Sequence, residues 1–278
     1  GYGGGNHDGA YLTDSIIVVN VNPKTKTATL ISIPRDIWVK IPTDGNNGNS
    51  WKVNAAYAVG LDDSFQNKQD IFKGQSGGGN MAKYVIGQIT GLEIRNFAAL
   101  DFSGFKKTIE TLGGVDVQIE QTLDDYEYPI DGSENDLCGQ DPSILNELQK
   151  NATLSAQQLF PCRYKHLHFD KGLTHLDGTQ ALGYVRSRHS IQDGNDFGRS
   201  KRQRNLILAV KNKVISIGFI TKALPFMDSL KDSLKTDLTM EDISSLLKNA
   251  DKLKEYSINN IALTDQNYLT ETLSDDGQ

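Results

Sequence analysis

Five of the eight arginines in this 278-residue chain lie within 19 residues, and this cluster is the strongest chemical signal in the sequence. The cluster consists of Arg186, Arg188, Arg199, Arg202 and Arg204, with Lys201 among them and only Asp193 and Asp196 to offset their charge. The planar guanidinium fork binds phosphate oxygens in pairs, so we interpret the cluster as a phosphate or pyrophosphate pocket. A solvated basic patch paired with surface carboxylates is the alternative.

The spacing of these residues strengthens the pocket interpretation. Arg186 and Arg188 are two positions apart, so they share a face if the segment is extended. Arg199, Arg202 and Gln203 are three and four apart, so they share a face in the first turn of a helix predicted over 199–218. The helix dipole disfavours cations at that end. Their presence there indicates an anion bound where backbone N–H groups are free.

Three residues from earlier in the chain are candidates to complete the pocket. Arg35 follows the strand-ending Ile33-Pro34, at the sheet edge where open α/β sheets bind ligands. Lys52 is placed to neutralise another phosphate oxygen. The alternative for each of these two cations is an ordinary ion pair, which for Arg35 would be with Asp36. Asp14 begins the first predicted strand and suits Mg²⁺ beside a phosphate. Its position alone, however, favours a second interpretation, in which the Asp14 side chain hydrogen-bonds to its own backbone and binds no metal.

Alternating strands and helices must position these side chains, which favours an α/β fold. β-Branched runs predict strands over 15–21 and 27–33, and further strands are expected over 96–100, 115–119 and 258–263. Two helices are expected to begin at a capping residue, one at Asn80 after a glycine-rich loop at 74–79 and one at Asp177. Further helices are expected over 103–112 and near 221–234 and 239–254. A glycine- and asparagine-rich loop is expected over 44–50. We expect one domain over 1–278 with its core at 13–263.

Residues 122–172 interrupt this alternation with a polar stretch that we interpret as an insertion or lid. It holds the two cysteines of the chain, Cys138 and Cys162. A disulfide between them would contribute roughly 3 kcal/mol by closing the loop. Two free thiols are the alternative, and two cysteines without a nearby pair of histidines do not make a zinc site.

The helix after the arginines carries a broad apolar stripe. Its members are Leu206, Ile207, Val210, Val214, Ile215, Ile217 and Phe219. Core packing is the default explanation of such a stripe. The alternative is an apolar slot beside the phosphate pocket, suited to a ligand with a charged head and an apolar tail.

Composition excludes several other classes of protein. The formal net charge of −6 disfavours a nucleic-acid binder. No apolar run reaches the roughly 18 residues that a membrane span needs, and no signal peptide is evident. The chain begins at Gly1 without an initiator methionine, so we expect it to be part of a longer protein.

Seven motifs follow one another along the chain and together resemble a known family. They are Thr13-Asp14-Ser15-Ile16, Ser32-Ile33-Pro34-Arg35-Asp36, Lys52-Val53-Asn54-Ala55-Ala56-Tyr57, Asp101-Phe102-Ser103-Gly104-Phe105, Leu112-Gly113-Gly114-Val115-Asp116-Val117, Leu176-Asp177-Gly178-Thr179-Gln180-Ala181-Leu182-Gly183-Tyr184-Val185-Arg186-Ser187-Arg188 and Asp196-Phe197-Gly198-Arg199-Ser200-Lys201-Arg202-Gln203. This order is similar to that of the LytR-CpsA-Psr family of bacterial envelope phosphotransferases, over residues 13–218.

The resemblance implies a three-layer α/β/α fold, with a central mixed sheet flanked by helices and an apolar cavity for a prenyl chain. It also implies an extracytoplasmic domain held by an N-terminal membrane anchor. Members of the family take a glycopolymer, such as a teichoic acid or capsule, from a polyprenyl-pyrophosphate carrier. They join it through a phosphodiester to peptidoglycan. A non-catalytic polyprenyl-phosphate sensor or carrier and a pyrophosphatase acting on the same lipid are the alternatives.

The resemblance also implies roles for individual residues. Arg35, Arg186, Arg188, Arg199 and Gln203 match residues that hold the pyrophosphate, and we add Lys52 and Arg202 from their spacing. Asp14 matches a ligand of Mg²⁺, for which Mn²⁺ is an alternative. A second aspartate expected upstream is represented only by Asp8, so we expect that ligand to be absent or replaced. Asp196 or Asp36 would act as a general base or orient an arginine, and we favour orientation.

Overall fold

The computed structural model describes residues 1–5, 9–45, 47–142, 155–216, 233–248, 250–264 and 267–270. Both strands and helices occur throughout these ranges, so the expected α/β class is confirmed. Contacts within the chain define two compact units. The first unit comprises residues 1–114 and 210–278, and the second comprises residues 115–209. The three-layer arrangement and the single domain stay predictions.

The elements follow this order along the chain. The strands are β1 (Ile16–Asn22), β2 (Thr27–Ile33), β3 (Trp38–Asp44), β4 (Asn47–Lys52), β5 (Ala98–Leu100), β6 (Val115–Ile119), β7 (Leu123–Pro129), β8 (Tyr164–Phe169), β9 (Gly172–Leu176), β10 (Leu234–Thr236) and β11 (Ser257–Ala262). The helices are α1 (Ala55–Leu61), α2 (Gly77–Thr90), α3 (Phe102–Thr111), α4 (Ala156–Leu159), α5 (Gly178–Arg186), α6 (Asp196–Ser216) and α7 (Met240–Lys248). Short 3₁₀ turns cover Asp70–Phe72, Pro161–Arg163 and Ala250–Glu255.

A mixed three-stranded sheet lies in the first unit, with β2 in the centre. The predicted β1–β2 hairpin is antiparallel and β11 lies parallel to β2 on its other edge. The apolar faces of β1 and β2 pack with α1 and α2 around Val18, Ile33, Met81 and Val85. Because β2 ends at Ile33, it delivers Arg35 just beyond the end of a central strand, as the sequence predicts.

The β3–β4 hairpin differs from the loop expected over 44–50. Gly48 explains why this polar segment forms a strand. A Cβ atom at Gly48 would lie 1.7 Å from the carbonyl oxygen of Ile41, so only glycine permits the two backbones to approach. The register also shifts between Ile41 and Asp44, where the strand bulges. The fully buried Ile41 then joins the core of the first unit.

Helix α2 begins at Gly77, so the expectation that Asn80 caps it after a loop is wrong. The glycines belong to the helix because α2 crosses α1 at close range. A Cβ atom at Gly77 would lie 2.3 Å from the carbonyl oxygen of Gly60 in α1. The end of α2 follows the prediction, because Gly91 adopts the left-handed conformation at φ 68°.

The second unit contains two antiparallel strand pairs, β6 with β9 and β7 with β8. This differs from the expectation that residues 122–172 lie outside the core, because Leu123 in β7 and Phe169 in β8 are both buried. In the chain segment that connects β7 to β8, a disulfide joins Cys138 to Cys162. Residues 143–154 of the same segment lie outside the described ranges.

Two helices carry arginines of the cluster, whose five members all lie in the second unit. Asp177 caps α5 as predicted, since its carboxylate accepts a hydrogen bond from the Gln180 backbone N–H at 2.8 Å. Helix α6 begins at Asp196, three residues before the predicted start, where Asn195 accepts a hydrogen bond from the Gly198 N–H at 2.8 Å.

The remaining helix predictions have different outcomes. The one near 221–234 lies almost wholly outside the described residues, and Leu234 already belongs to β10. The one over 239–254 forms α7 and a following 3₁₀ turn. Within the described ranges, no helix has the length and apolar character needed to cross a bilayer.

Gly77→Ala tests the close crossing of α1 and α2. Alanine is ordinarily favoured over glycine in a helix, by up to about 1 kcal/mol in the helix interior. Here the added methyl group meets the Gly60 carbonyl, so we expect the free energy of unfolding to fall by about 1–3 kcal/mol. Urea denaturation measures the change, with Gln88→Ala on the exposed side of α2 as the control. An unchanged or more stable Gly77→Ala protein would contradict this packing.

Candidate functional site

Four charged side chains form a cluster in the first unit, which we call the Arg35 cluster. Arg35 Nη1 donates a hydrogen bond to Asp14 Oδ1 at 2.6 Å. Arg35 Nε lies 3.4 Å from Asp36 Oδ2, and Lys52 Nζ lies 3.4 Å from Asp36 Oδ1. The ion pairs that sequence analysis gave as alternatives are therefore present. All four side chains are partly exposed, so solvent screens these pairs.

Backbone hydrogen bonds bring three of the sequence motifs to this cluster. The Thr13 N–H donates to the carbonyl oxygen of Asn54 at 3.0 Å, and the Asn54 N–H donates to that of Arg35 at 3.2 Å. Asn54 therefore bridges the segment before β1 and the segment after β2. These bonds place Asp14, Arg35 and Lys52 together although they are far apart in sequence.

The Arg35 cluster leaves one buried donor unused. Arg35 Nε is buried and makes no hydrogen bond, because Asp36 lies at ion-pair distance without the required geometry. A buried N–H without an acceptor is costly. The charge of the Asp36 carboxylate, 3.4 Å away, offsets part of this cost.

The residues around Asp14 fit a Mg²⁺ ion only in part. Among the described residues, no group of three metal-binding side chains includes Asp14. Asp8, the other aspartate considered, lies outside the described residues. One carboxylate suits Mg²⁺ when phosphate oxygens and water complete its coordination. The donor set is thus compatible with a metal that binds together with a phosphate ligand.

Arg186 and Arg188 lie at the end of α5 and just beyond it, so the condition of one extended segment is not met. Arg186 is the last residue of α5, and the backbone leaves the helical conformation at Ser187, where ψ is 132°. Arg186 Nη1 donates to Asp131 Oδ1 at 2.9 Å, and its guanidinium lies 5.7 Å from the centre of the Tyr128 ring. Arg188 is partly buried.

The carboxylate of Asp125 holds this arginine segment in place. Asp125 is 1% exposed, and its Oδ2 accepts hydrogen bonds from Ser187 Oγ at 2.7 Å, from the Arg188 N–H at 3.3 Å and from the His189 N–H at 3.2 Å. Its Oδ1 accepts from the Glu127 N–H at 2.9 Å. A buried carboxylate requires such partners. Asp125 therefore fixes the backbone between the two arginines.

Three predicted binding residues in α6 are buried. Arg199, Arg202 and Gln203 are 7%, 3% and 8% exposed, and they lie in the first turns of the helix as predicted. Arg202 forms a short ion pair with Asp193, and its Nη2 donates to the carbonyl oxygen of Ser187 at 2.6 Å. Arg202 thus connects α6 to the segment that Asp125 holds. The side chain of Asp196 lies outside the described part of α6.

The remaining cations of the cluster face a different partner. Lys201 Nζ lies 2.6 Å from Glu120, and Arg204 lies 3.6 Å from the same carboxylate. The hydrogen bond from Lys201 is the main cause that lowers the pKa of Glu120. Lys201 and Arg204 therefore match the alternative of a basic patch paired with surface carboxylates. Arg199, Arg202 and Gln203 do not, because their side chains are buried.

A small surface pocket, with room for about one water molecule, lies beside Arg202 in the second unit. It is lined by Glu120, Gln121, Leu123, Tyr184, Asp193, Lys201, Arg202 and Asn205. Most of these residues are charged or carry an amide, and Leu123 and Tyr184 contribute apolar surface. The apolar cavity implied by the resemblance stays a prediction.

The apolar stripe of α6 is only partly buried. Leu206 is 4% exposed, whereas Ile207, Val210, Val214 and Ile215 are intermediate in exposure. Ile217 and Phe219 lie outside the described residues. The observed burial of Leu206 agrees with core packing at that position, and the slot alternative stays open for the rest.

Sequence reasoning missed Asp125, although a signal for it exists. Residues alternate along β7, and Leu123 and Asp125 fall on the same side of the strand. A carboxylate on the apolar face of a strand is rare unless it has hydrogen-bond partners. That alternation marks Asp125 as a structural acceptor.

Comparisons with known proteins agree with the motif order. The model of the LytR_cpsA_psr family matches residues 4–275. The chain is 29% identical over 237 residues to the polyisoprenyl-teichoic acid–peptidoglycan teichoic acid transferase TagU of Oceanobacillus iheyensis, covering 85% of this chain and 57% of that protein. It is 28% identical over 231 residues to TagV of Bacillus subtilis, covering 83% of this chain and 46% of that protein. The chain thus spans about half the length of these relatives.

The fold is also shared with a solved structure. The crystal structure of B. subtilis TagV superposes with a TM-score of 0.60 and 24% sequence identity. The match covers 93% of this chain and 80% of the TagV chain.

Asp125→Asn tests the carboxylate that holds the arginine segment. An amide replaces one acceptor oxygen by a donor, so it leaves buried N–H groups unpaired whichever way it turns. We expect the free energy of unfolding to fall by about 1–3 kcal/mol. Urea denaturation measures this, with the exposed Asp116→Asn as the charge-matched control. An Asp125→Asn protein as stable as the wild type would show that the carboxylate is not required.

Proposed function

This chain belongs to the LytR-CpsA-Psr family, and we propose on that basis that it transfers a glycopolymer from a polyprenyl-pyrophosphate carrier to peptidoglycan as a phosphodiester. The related TagU and TagV are named as teichoic acid transferases, which supports a teichoic acid or similar polymer as the donor substrate.

One structural observation supports the proposal above the others. Asp125 fixes the backbone between Arg186 and Arg188, and Arg202 ties that segment to the helix that carries Arg199. Guanidinium groups held in fixed positions are suited to bind a diphosphate, because little side-chain and loop freedom remains to be lost on binding. We assign pyrophosphate binding to Arg35, Lys52, Arg186, Arg188, Arg199, Arg202 and Gln203.

The proposed reaction is a phosphoryl transfer. A hydroxyl oxygen of the peptidoglycan acceptor forms a bond to the phosphorus that carries the polymer. The bond from that phosphorus to the bridging oxygen breaks, and polyprenyl phosphate leaves with the electron pair. Arg35, Arg186, Arg188 and Arg199 stabilise the negative charge that develops on the diphosphate oxygens.

The hydroxyl proton passes to solvent or to a nearby carboxylate. Asp36 contacts both Arg35 and Lys52, so we assign it to orienting these cations. Asp196 begins α6 beside the arginines, and we give it the same orienting role. Mg²⁺, or Mn²⁺ in its place, would be held by Asp14 and diphosphate oxygens and would supply further charge neutralisation.

The proposed location is outside the cytoplasmic membrane, with an N-terminal membrane anchor as the family resemblance implies. The Cys138–Cys162 disulfide supports this, because such bonds persist in oxidising compartments. The substrate carrier is itself a membrane lipid, so an anchor would keep the domain near it.

Arg188→Ala tests the proposed reaction. We expect transfer to fall by at least about 100-fold, because a donor to the developing charge is lost. The melting temperature should change little, because Asp125 binds the backbone N–H of residue 188 and that group remains. The assay incubates the protein with a synthetic polyprenyl-pyrophosphate glycan, peptidoglycan fragments and Mg²⁺, and mass spectrometry detects the phosphodiester product.

Arg95→Ala is the matched control, since this arginine is 79% exposed and pairs only weakly with Glu93 at 3.4 Å. Undiminished transfer by Arg188→Ala would remove Arg188 from the mechanism. Release of phosphate without a polymer product would indicate a pyrophosphatase. Lipid binding without turnover by the wild type would indicate a sensor or carrier, and either result would refute the transferase proposal.

A further inference from the structure

A group of metal-binding side chains lies on the β7–β8 hairpin, apart from the arginines. Asp124 in β7 pairs in register with His168 in β8, and His166 lies two residues earlier in the same strand. Residues two apart share a face of a strand, so both imidazoles and the carboxylate point to the same side. The two histidine side chains are 40% and 45% exposed.

Three donor atoms of this group converge on one point. Asp124 Oδ1 lies 2.9 Å from His166 Nε2 and 2.7 Å from His168 Nδ1. Donor atoms around a tetrahedral zinc ion with bonds of about 2 Å lie about 3.3 Å apart. A shift of about half an ångström therefore makes room for the ion, while the hairpin keeps the three residues in register.

Each of the three side chains is also oriented by a neighbour. The ring of Tyr126 stacks on that of His166, with centres 4.0 Å apart and planes 3° apart. Asp170 Oδ1 lies 3.3 Å from His168 Nε2, on the side of the ring away from Asp124. A carboxylate in that position fixes the tautomer and ring orientation of metal-binding histidines. Gln192 Nε2 donates to Asp124 Oδ2 at 3.2 Å, so the second carboxylate oxygen is also held.

Two other arrangements in the described residues resemble this group but lack its ligand set. A second group in the described residues contains Asp136 and both cysteines, but its thiols are joined in the disulfide and do not offer thiolates. His175 and Asp116 form a pair with the same 2.7 Å hydrogen bond and no second imidazole.

We propose that Asp124, His166 and His168 form a binding site for Zn²⁺ or a similar borderline divalent ion, with a fourth position open to solvent. Two imidazoles and one carboxylate are a ligand set for zinc, copper or nickel and not for Mg²⁺, which prefers oxygen. The site is therefore distinct in chemistry from the Mg²⁺ proposed at Asp14. A bound ion would connect β7 and β8 across the hairpin.

Titration of the full chain, without a polyhistidine tag, with ZnCl₂ and with CoCl₂ tests the proposal. The wild type should bind a single Zn²⁺ in a calorimeter, and Co²⁺ should give the visible absorption of a four-coordinate site. Mg²⁺ should not compete. The variant His166→Ala/His168→Ala should bind at least about 10-fold more weakly. His175→Ala, which removes an exposed histidine that has one carboxylate partner, should bind as the wild type does.

Equal Zn²⁺ binding by the wild type and His166→Ala/His168→Ala would overturn the proposal, as would the absence of binding by the wild type. Circular dichroism shows whether the double variant folds. If it does not fold, imidazole ¹⁵N resonances of the wild type decide. Zn²⁺ must shift those of His166 and His168 and leave His175 unchanged, and any other pattern would overturn the site.

Discussion

The interaction on which the second unit depends is the buried carboxylate of Asp125. Removing a charged group from water is so costly that it persists only when hydrogen bonds replace the lost solvation. Ser187, Arg188 and His189 supply those bonds. The backbone after α5 must therefore keep the conformation in which these three residues can donate to Asp125. The hydrogen bonds that stabilise the buried Asp125 carboxylate thereby also hold residues 187–189 in place.

Ion pairing is the second common feature of the candidate site. Arg35 pairs with Asp14, Arg186 with Asp131 and Arg202 with Asp193. The first two pairs are partly exposed, so a phosphate that binds these arginines exchanges weak, screened partners for a doubly charged one. The Arg202 pair is buried, and breaking it would leave an unpaired charge. Burial thus distinguishes Arg202, which would have to keep its Asp193 partner while it binds a phosphate, from Arg35 and Arg186, whose partners are readily exchanged.

The sequence predicts those features that depend on near neighbours. The arginine cluster, the β1–β2 hairpin and the Asp177 cap of α5 are each set by residues a few positions apart. Phosphate binding is predicted from the side-chain types themselves. For this reason the buried residues of α6, Arg199, Arg202 and Gln203, were also among the predicted residues. The motif order extends this to the family and its α/β class.

The features that the sequence did not reveal depend on partners far along the chain. Gly77 is helical because Gly60 lies against it, and the polar segment of β4 is a strand because Gly48 lets it pair with β3. Asp125 gains its role from residues more than 60 positions away. A local pattern does not identify such partners. The glycines were therefore assigned to turns by their usual behaviour, and Asp125 was left within a polar insertion although its alternation with Leu123 indicates burial.

The binding of a diphosphate by these arginines is tested most directly by arginine Nε–Hε resonances in the wild-type protein. The titrant is a short-chain prenyl diphosphate, compared with the corresponding monophosphate. We expect the resonances of Arg35, Arg186, Arg188 and Arg199 to shift on addition of the diphosphate, with weaker binding of the monophosphate and no shift of Arg95. Unchanged resonances of these four residues at saturating diphosphate, or shifts confined to exposed arginines such as Arg95, would contradict the proposed site.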